Sequence, residues 1–232
     1  MFAKPIALIP ARGGSKGITR KNLSKVGGIS LLERAISAAI SSEAFSDVVV
    51  TSDDNEILEV AKAAGAICLV RPDNASADNA QATAVVEHFL SSDLGRGLDD
   101  SAIVVYLQPT SPFRSGKHIA KALEQMRQEG ADKLVSVTPV KDHPFMALTI
   151  DDLGFLEPSS FWDSASTNRQ DFPKLTRPNG AIYAFSVSEF RALGRIPVEG
   201  AIPFWMGEIE GWDIDTFEDL SIARAVANDA GI

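Results

Sequence analysis

Apolar residues in this chain come in short blocks, and each block empties into a cluster of polar or small residues. Ile6–Ile9, Asp47–Ser52, Ala66–Val70, Ala102–Leu107 and Leu134–Val137 have strand length and are rich in β-branched residues, as buried strands are. Between them the apolar positions recur at helical spacing. Leu32, Ala35, Ile36, Ala39 and Ile40 form one stripe, and Ser30-Leu31-Leu32-Glu33 before it has the form of a capping box. Further helices are expected from about Glu56 to Gly65, from Asn79 to Leu90 and from Ser115 to Glu129.

Strands alternating with helices of this length predict βαβ units in an α/β fold, with a doubly wound, mostly parallel sheet of Rossmann-like type. In such sheets ligands bind beyond the carboxyl ends of the strands. The polar clusters fall there: Arg12–Gly17, Ser52-Asp53, Arg71 and Gln108-Pro109-Thr110.

From Pro139 to about Ser188 the rhythm breaks. Five prolines and the aromatics Phe155, Phe161 and Trp162 predict an inserted segment with short strands, serving as a dimerisation arm or a substrate lid. Gly180–Phe185 restores a strand, a short helix near Val187–Leu193 follows, and Ile202–Met206 is a further strand. Thr216-x-x-Asp219 then caps a last helix to about Asn228. Residues 1–232 read as one domain carrying this insertion at about 139–188.

The composition is that of an ordinary globular chain, with 45% hydrophobic and 23% charged residues. No apolar run approaches the roughly 20 residues that span a bilayer, and the start does not read as a signal peptide. The single cysteine, Cys68, excludes an internal disulfide and fits a reducing cytoplasm; within Ala66–Val70 it reads as a packing residue. A net charge of −9 argues against nucleic acid as a partner.

Against that acidic balance one stretch is basic. No Asp or Glu precedes Glu33, whereas Arg12, Lys16, Arg20, Lys21 and Lys25 cluster around Gly13, Gly14 and Gly17. Glycines let backbone N–H groups approach phosphate oxygens, and the cations would neutralise a triphosphate. The loop matches neither the P-loop nor the dinucleotide-binding pattern, and a solvated basic loop is the alternative. Near the other end, Asp213 and Asp215 flank Ile214. On a strand end both carboxylates would share a face about 6–7 Å apart, suited to Mg²⁺; alternatively Asp215 caps the last helix. No motif for a covalent intermediate is present, so direct displacement is the simpler chemistry.

Ala11-Arg12-Gly13-Gly14-Ser15-Lys16-Gly17 with Lys21-Asn22 resembles the signature of the CMP-sialic acid synthetases, the N-acylneuraminate cytidylyltransferases. Four further segments match that family in order: Arg71-Pro72 with Asp78-x-Ala80, Leu107–Arg114, Arg177–Tyr183 with Asn168-Arg169-Gln170 upstream, and Asp213–Leu220. The resemblance implies a nucleotidyltransferase that activates a sialic-type nonulosonic acid, with N-acetylneuraminate foremost, using CTP and releasing pyrophosphate. Legionaminic acid or a 3-deoxy-octulosonic acid is an alternative substrate, and a non-catalytic nucleotide-binding module an alternative class.

It further implies that Ala11, Arg12, Gly13, Gly14, Ser15, Lys21, Asn22, Arg71 and Ala80 bind the nucleotide, with Asn22 and Arg71 at the cytosine. Arg12, Lys16, Lys21, Asp213 and Asp215 would be catalytic, the two aspartates holding Mg²⁺ (or Mn²⁺), and Gln108, Arg169 and Arg177 would bind the sugar acid. A homodimer paired through the insertion, in the cytoplasm, is expected as well. Two departures touch the sugar pocket. His143-Pro144 is followed by Phe145 where the family often has Lys, the nearest lysine being Lys141, and Ile196-Pro197 stands where an aromatic pair is usual.

Overall fold

The computed structural model describes residues 4–14, 17–72, 82–162 and 172–231. A seven-stranded sheet runs through it: β1 (Ile6–Pro10), β4 (Asp47–Ser52), β5 (Ile67–Val70), β6 (Ile103–Tyr106), β7 (Lys133–Pro139), β10 (Thr176–Ser186) and β11 (Ile202–Trp205). Their spatial order is β11-β7-β10-β6-β1-β4-β5. β10 pairs antiparallel with both β6 and β7, and the other pairings are parallel, so the sheet is mostly parallel as expected.

β1 is apolar throughout because helices cover both faces of the sheet. Ala7 and Ile9 face one core with Leu32, Ala35 and Ile36 of α1 (Leu31–Ser41), Ile57 of α2 (Asn55–Ala63) and Ile119 of α4 (Gly116–Gln128). Ile6 and Leu8 face the other, with Val85, Val86 and Phe89 of α3 (Ala82–Ser91) and Phe190 of α5 (Val187–Leu193). Truncating a buried side chain of this kind, Leu8→Ala for instance, typically costs about 2–5 kcal/mol.

The helix starts are chemically specified. Ser30 and Glu33 form the capping box at α1, with Glu33 N donating to Ser30 Oγ at 3.2 Å and Ser30 N to the Glu33 carboxylate at 3.0 Å. Thr216 and Asp219 do the same for α6 (Phe217–Ala230), so Thr216, not Asp215, is its N-cap. At α4 the box is closed by His118, whose Nδ1 accepts from Ser115 N at 3.2 Å.

Two stretches differ from the expected bounds. β10 starts at Thr176 and passes through Pro178-Asn179-Gly180, where its register against β7 shifts. The turn chemistry that ended the strand in the sequence makes a bulge here, with Gly180 at φ +81°, a value costly to any side chain. Asp213 and Asp215 lie in the irregular segment between β11 and α6, not on a strand end, with the fully buried Ile214 between them. The first residues of the helix expected from Asn79 lie outside the described residues.

Two short hairpins stand apart from the sheet: β2 (Lys25–Val26) with β3 (Ile29–Ser30), and β8 (Leu148–Ile150) with β9 (Leu156–Pro158) inside the expected insertion. No helix among the described residues is long and apolar enough to cross a membrane.

Candidate active site

The chain leaves β1 toward β4 on one side and returns to β6 on the other, so a crevice opens between the carboxyl ends of β1 and β6. The basic loop follows β1 there and the Gln108–Arg114 segment follows β6, and Lys21 of the one and Thr110 of the other both bond the backbone of Ile214.

The loop after β1 is held from several directions. Ala11 N donates to Thr51 O at 3.0 Å, the buried Asn22 donates its side-chain amide to Arg12 O at 3.0 Å, and Gly13 N donates to Asp53 Oδ1 at 3.1 Å. A side chain at residue 13 would run into Asp54, so this close approach of the loop to β4 needs glycine. Asp53 also lies 3.7 Å from the Arg71 guanidinium. Arg71 is almost wholly buried; burial lowers its pKa and the Asp53 charge works against that. Arg12, Asn22, Asp53 and Arg71 thus converge at the ends of β1, β4 and β5. Asp53 is the member of this group to which sequence reasoning gave no role.

Arg20, one of the cations expected around a triphosphate, points elsewhere. Its backbone is left-handed (φ 54°), and its guanidinium reaches Asp54 at 2.9 Å and Glu56 at 2.5 Å, fastening the loop to the start of α2. Ser15, Lys16, Ala80 and Arg169 lie outside the described residues.

The second group gathers around the segment before α6. Lys21 Nζ donates to Ile214 O at 2.8 Å and lies 3.4 Å from the exposed Asp215 carboxylate. Ile214 N donates to Thr110 O at 2.9 Å, and Thr110 also bonds the Asp213 side chain. Burial raises the Asp213 carboxyl above the ordinary carboxylate range; the Thr110 bond opposes this and the Asp215 charge adds to it. One of its oxygens, Oδ1, is buried without a hydrogen-bond partner.

Gly180 faces this group. A Cβ there would lie 2.6 Å from Gln108 Oε1 and 3.4 Å from Asp213 Oδ2, so Gln108 and Asp213 meet over a residue that must be glycine for space as well as φ. Beside them is a pocket of about 310 Å³ lined by Thr138, Lys141, Arg177, Glu208, Trp212 and Asp213, among others. Thr138 Oγ1 and Trp212 Nε1 are, like Asp213 Oδ1, buried polar atoms without partners. Lys141, the lysine displaced from its expected place, lines this pocket and pairs with Glu208 at 2.7 Å.

The structure therefore brings Arg12, Lys21, Gln108, Arg177, Asp213 and Asp215 to one end of the sheet, with Asn22 and Arg71 alongside. Thr110, Thr138 and Trp212 were missed as individuals; Thr110 lies inside a motif already singled out, whereas nothing in the sequence marked Thr138.

Comparison with known proteins agrees with the motifs. An N-acylneuraminate cytidylyltransferase of Streptococcus agalactiae serotype III is 31% identical over 94% of this chain, which spans 52% of that protein. The chain thus covers about half the length of that relative. The post-translational flagellin modification protein B of Campylobacter coli is 28% identical over 94% of this chain and 93% of its own. A solved CMP:2-keto-3-deoxy-manno-octonic acid synthetase in complex with CTP shares the fold, with a TM-score of 0.68 and 17% identity over 98% of this chain and all of its own. The resemblance read from the sequence motifs is borne out, and since the cytidylyltransferase profile matches residues 6–186, the chain belongs to the cytidylyltransferase family.

Proposed function

We propose that this chain catalyses cytidylyl transfer from CTP to the anomeric hydroxyl of a sialic-type nonulosonic acid, releasing pyrophosphate. The observation that carries the reading is the meeting, in one crevice, of a glycine-and-cation loop with an aspartate pair and a polar pocket that holds Arg177. Family membership and the relatives' names supply the nucleotide and the acid.

In this reading the hydroxyl oxygen forms a bond to the α-phosphorus as the bond to pyrophosphate breaks, and a carboxylate takes the hydroxyl proton. Such chemistry rests on positioning and charge stabilisation. Arg12, Lys16 and Lys21 hold the triphosphate and the developing pyrophosphate charge, with the backbone of Ala11, Gly13, Gly14 and Ser15 lining it. Asn22 and Arg71, with Ala80, read the cytosine. Gln108, Arg169 and Arg177 take the sugar acid; a guanidinium suits its carboxylate because the planar fork binds it bidentately.

Asp213 and Asp215 fit a hard divalent cation. They offer carboxylate oxygens, and the buried, unpartnered Oδ1 of Asp213 is an acceptor that lacks a donor. Mg²⁺, or Mn²⁺ in its place, would be held by these two side chains and would supply charge neutralisation at the phosphate oxygens.

A second copy of the chain is the proposed partner. Ile150, Leu153, Phe155, Leu156 and Phe161 are all more than 60% exposed on and beside the β8–β9 hairpin, a grouping of large apolar side chains that a partner surface would cover. A reducing cytoplasm suits the chain's one thiol.

Pyrophosphate release with each nucleoside triphosphate and N-acetylneuraminate tests the reaction. Turnover with CTP far above UTP, ATP or GTP is expected. Equal turnover with UTP would overturn the assignment of Asn22 and Arg71.

A further inference from the structure

Arg114, the last residue of the Gln108–Arg114 segment, is almost completely buried, and among the described residues no carboxylate pairs with it. Burial draws its pKa down to about 9. A charge buried without a counter-charge is costly, so its remaining contacts carry the reason for its presence. Nη1 donates to Gln108 O and to Ala181 O, each at 2.8 Å.

Those two carbonyls are a facing pair. The β6–β10 ladder ends at Tyr106 opposite Tyr183, and counting outward Gln108 faces Ala181. Beyond the ladder's end these carbonyls lose their cross-strand donors; Arg114 supplies one to each, and Gln108 O accepts besides only a long bond from Ser111 N at 3.5 Å. On the opposite side of β10 the register shift is bridged in the same manner: Ile182 N donates to Ser136 Oγ at 2.7 Å and Ala181 N to Asn179 Oδ1 at 3.1 Å. Side chains thus hold the backbone of 180–182 where a ladder would otherwise do so. Gln108 and Gly180, whose approach places Gln108 Oε1 beside Asp213, are the residues at this join.

We propose that Arg114 is a positioning residue: its guanidinium fixes Gln108 against Gly180 and Asp213, and it therefore acts on the sugar-acid half of the site and not on the nucleotide half. The kinetic side of this proposal rests on the cytidylyltransferase reading above.

Arg114→Lys keeps the charge, but its ammonium sits on a shorter stem and loses the reach of Nη1, the single nitrogen that donates both bonds. With it, the KM for the sugar acid should rise about tenfold and that for CTP should stay within twofold. Because Arg114 acts through Gln108, Arg114→Lys combined with Gln108→Ala should lie within twofold of Gln108→Ala alone. Arg114→Met, which removes the lone charge, serves the same comparison should the lysine variant not fold. Equal rises in both KM values, or a double variant whose loss is the product of the single losses, would overturn the proposal. Hydrogen exchange separates the two readings. If the wild type transfers to no sugar acid, the functional reading fails; faster exchange in 107–114 and 179–184 of the variant then still supports the pin, and unchanged exchange overturns it.

Discussion

At Asp213 and Asp215 one residue of separation produces two unlike carboxylates. Asp215 is exposed and touched by Lys21, whereas Asp213 is half-buried, bonded to Thr110 and left with an unpartnered oxygen. Removing the Asp215 carboxylate should therefore leave folding alone, since an exposed pair of this kind contributes about 1 kcal/mol or less. Asp215→Ala is expected to lose turnover by ~10²-fold or more, the scale of a lost electrostatic contact to the transition state, with Tm unchanged. Near-normal turnover in both Asp215→Ala and Asp213→Ala would remove the pair from the chemistry. Arg177 lies in the pocket with Asp213, away from the Arg12 loop. Arg177→Ala should raise the KM of the sugar acid by ~10-fold, as charged hydrogen bonds of about 1.5–3 kcal/mol do when lost, with the KM of CTP within a few-fold. Collapse of CTP affinity alone would assign Arg177 to the nucleotide.

At the scale of elements, the caps make the clearest case for what a sequence discloses. Ser30-x-x-Glu33 and Thr216-x-x-Asp219 were legible because the local pattern is the interaction itself. The cap at α4 was not, since histidine replaces the usual Glu or Gln at the third position. That cap depends on pH. Burial lowers the His118 pKa, with Glu210 opposing and Lys121 and Arg114 assisting, and Nδ1 must stay unprotonated to accept from Ser115. A depressed imidazole pKa stabilises the fold at pH above the ordinary histidine value, and that contribution is lost as pH falls below it. His118→Gln keeps an acceptor at every pH. The Tm difference between wild type and variant should therefore shift in the variant's favour from pH 7 to pH 5, and a constant difference would show the cap to be insensitive to charge. Another element, the β8–β9 hairpin, leaves Phe155 and Leu156 exposed among the described residues. A twofold dimer is expected by light scattering at micromolar concentration, with Phe155→Lys shifting it toward monomer. A monomeric wild type would refute the assignment of this surface.

For the whole molecule, the seven sheet strands and the helices α1 to α6 (α3 over its described residues) were readable because hydrophobic period and element length agree in a doubly wound sheet. Two kinds of feature were hidden. The bulge at Pro178-Asn179-Gly180 reads as a turn locally and becomes part of β10 only through Ser136, Asn179 and Arg114, contacts that span up to 67 residues. The pocket is likewise assembled from β7, β10 and the segment before α6, so Thr138 and Trp212 carry no local signal. What the sequence disclosed best was the set of strand ends, since glycines, cations and carboxylates stand there against an otherwise apolar framework. Lys141, Glu208 and Trp212 line the pocket together with Arg177, and in the proposed reading it is this lining that the sugar acid meets. The most direct measurement is therefore product identification by mass spectrometry after incubation with CTP, Mg²⁺ and, separately, N-acetylneuraminate, legionaminic acid and a 3-deoxy-octulosonic acid. A CMP conjugate of a nonulosonic acid, formed with one pyrophosphate per product, is the result expected, N-acetylneuraminate being the foremost substrate; no CMP conjugate with any of the three acids, from a chain that binds CTP, would contradict it.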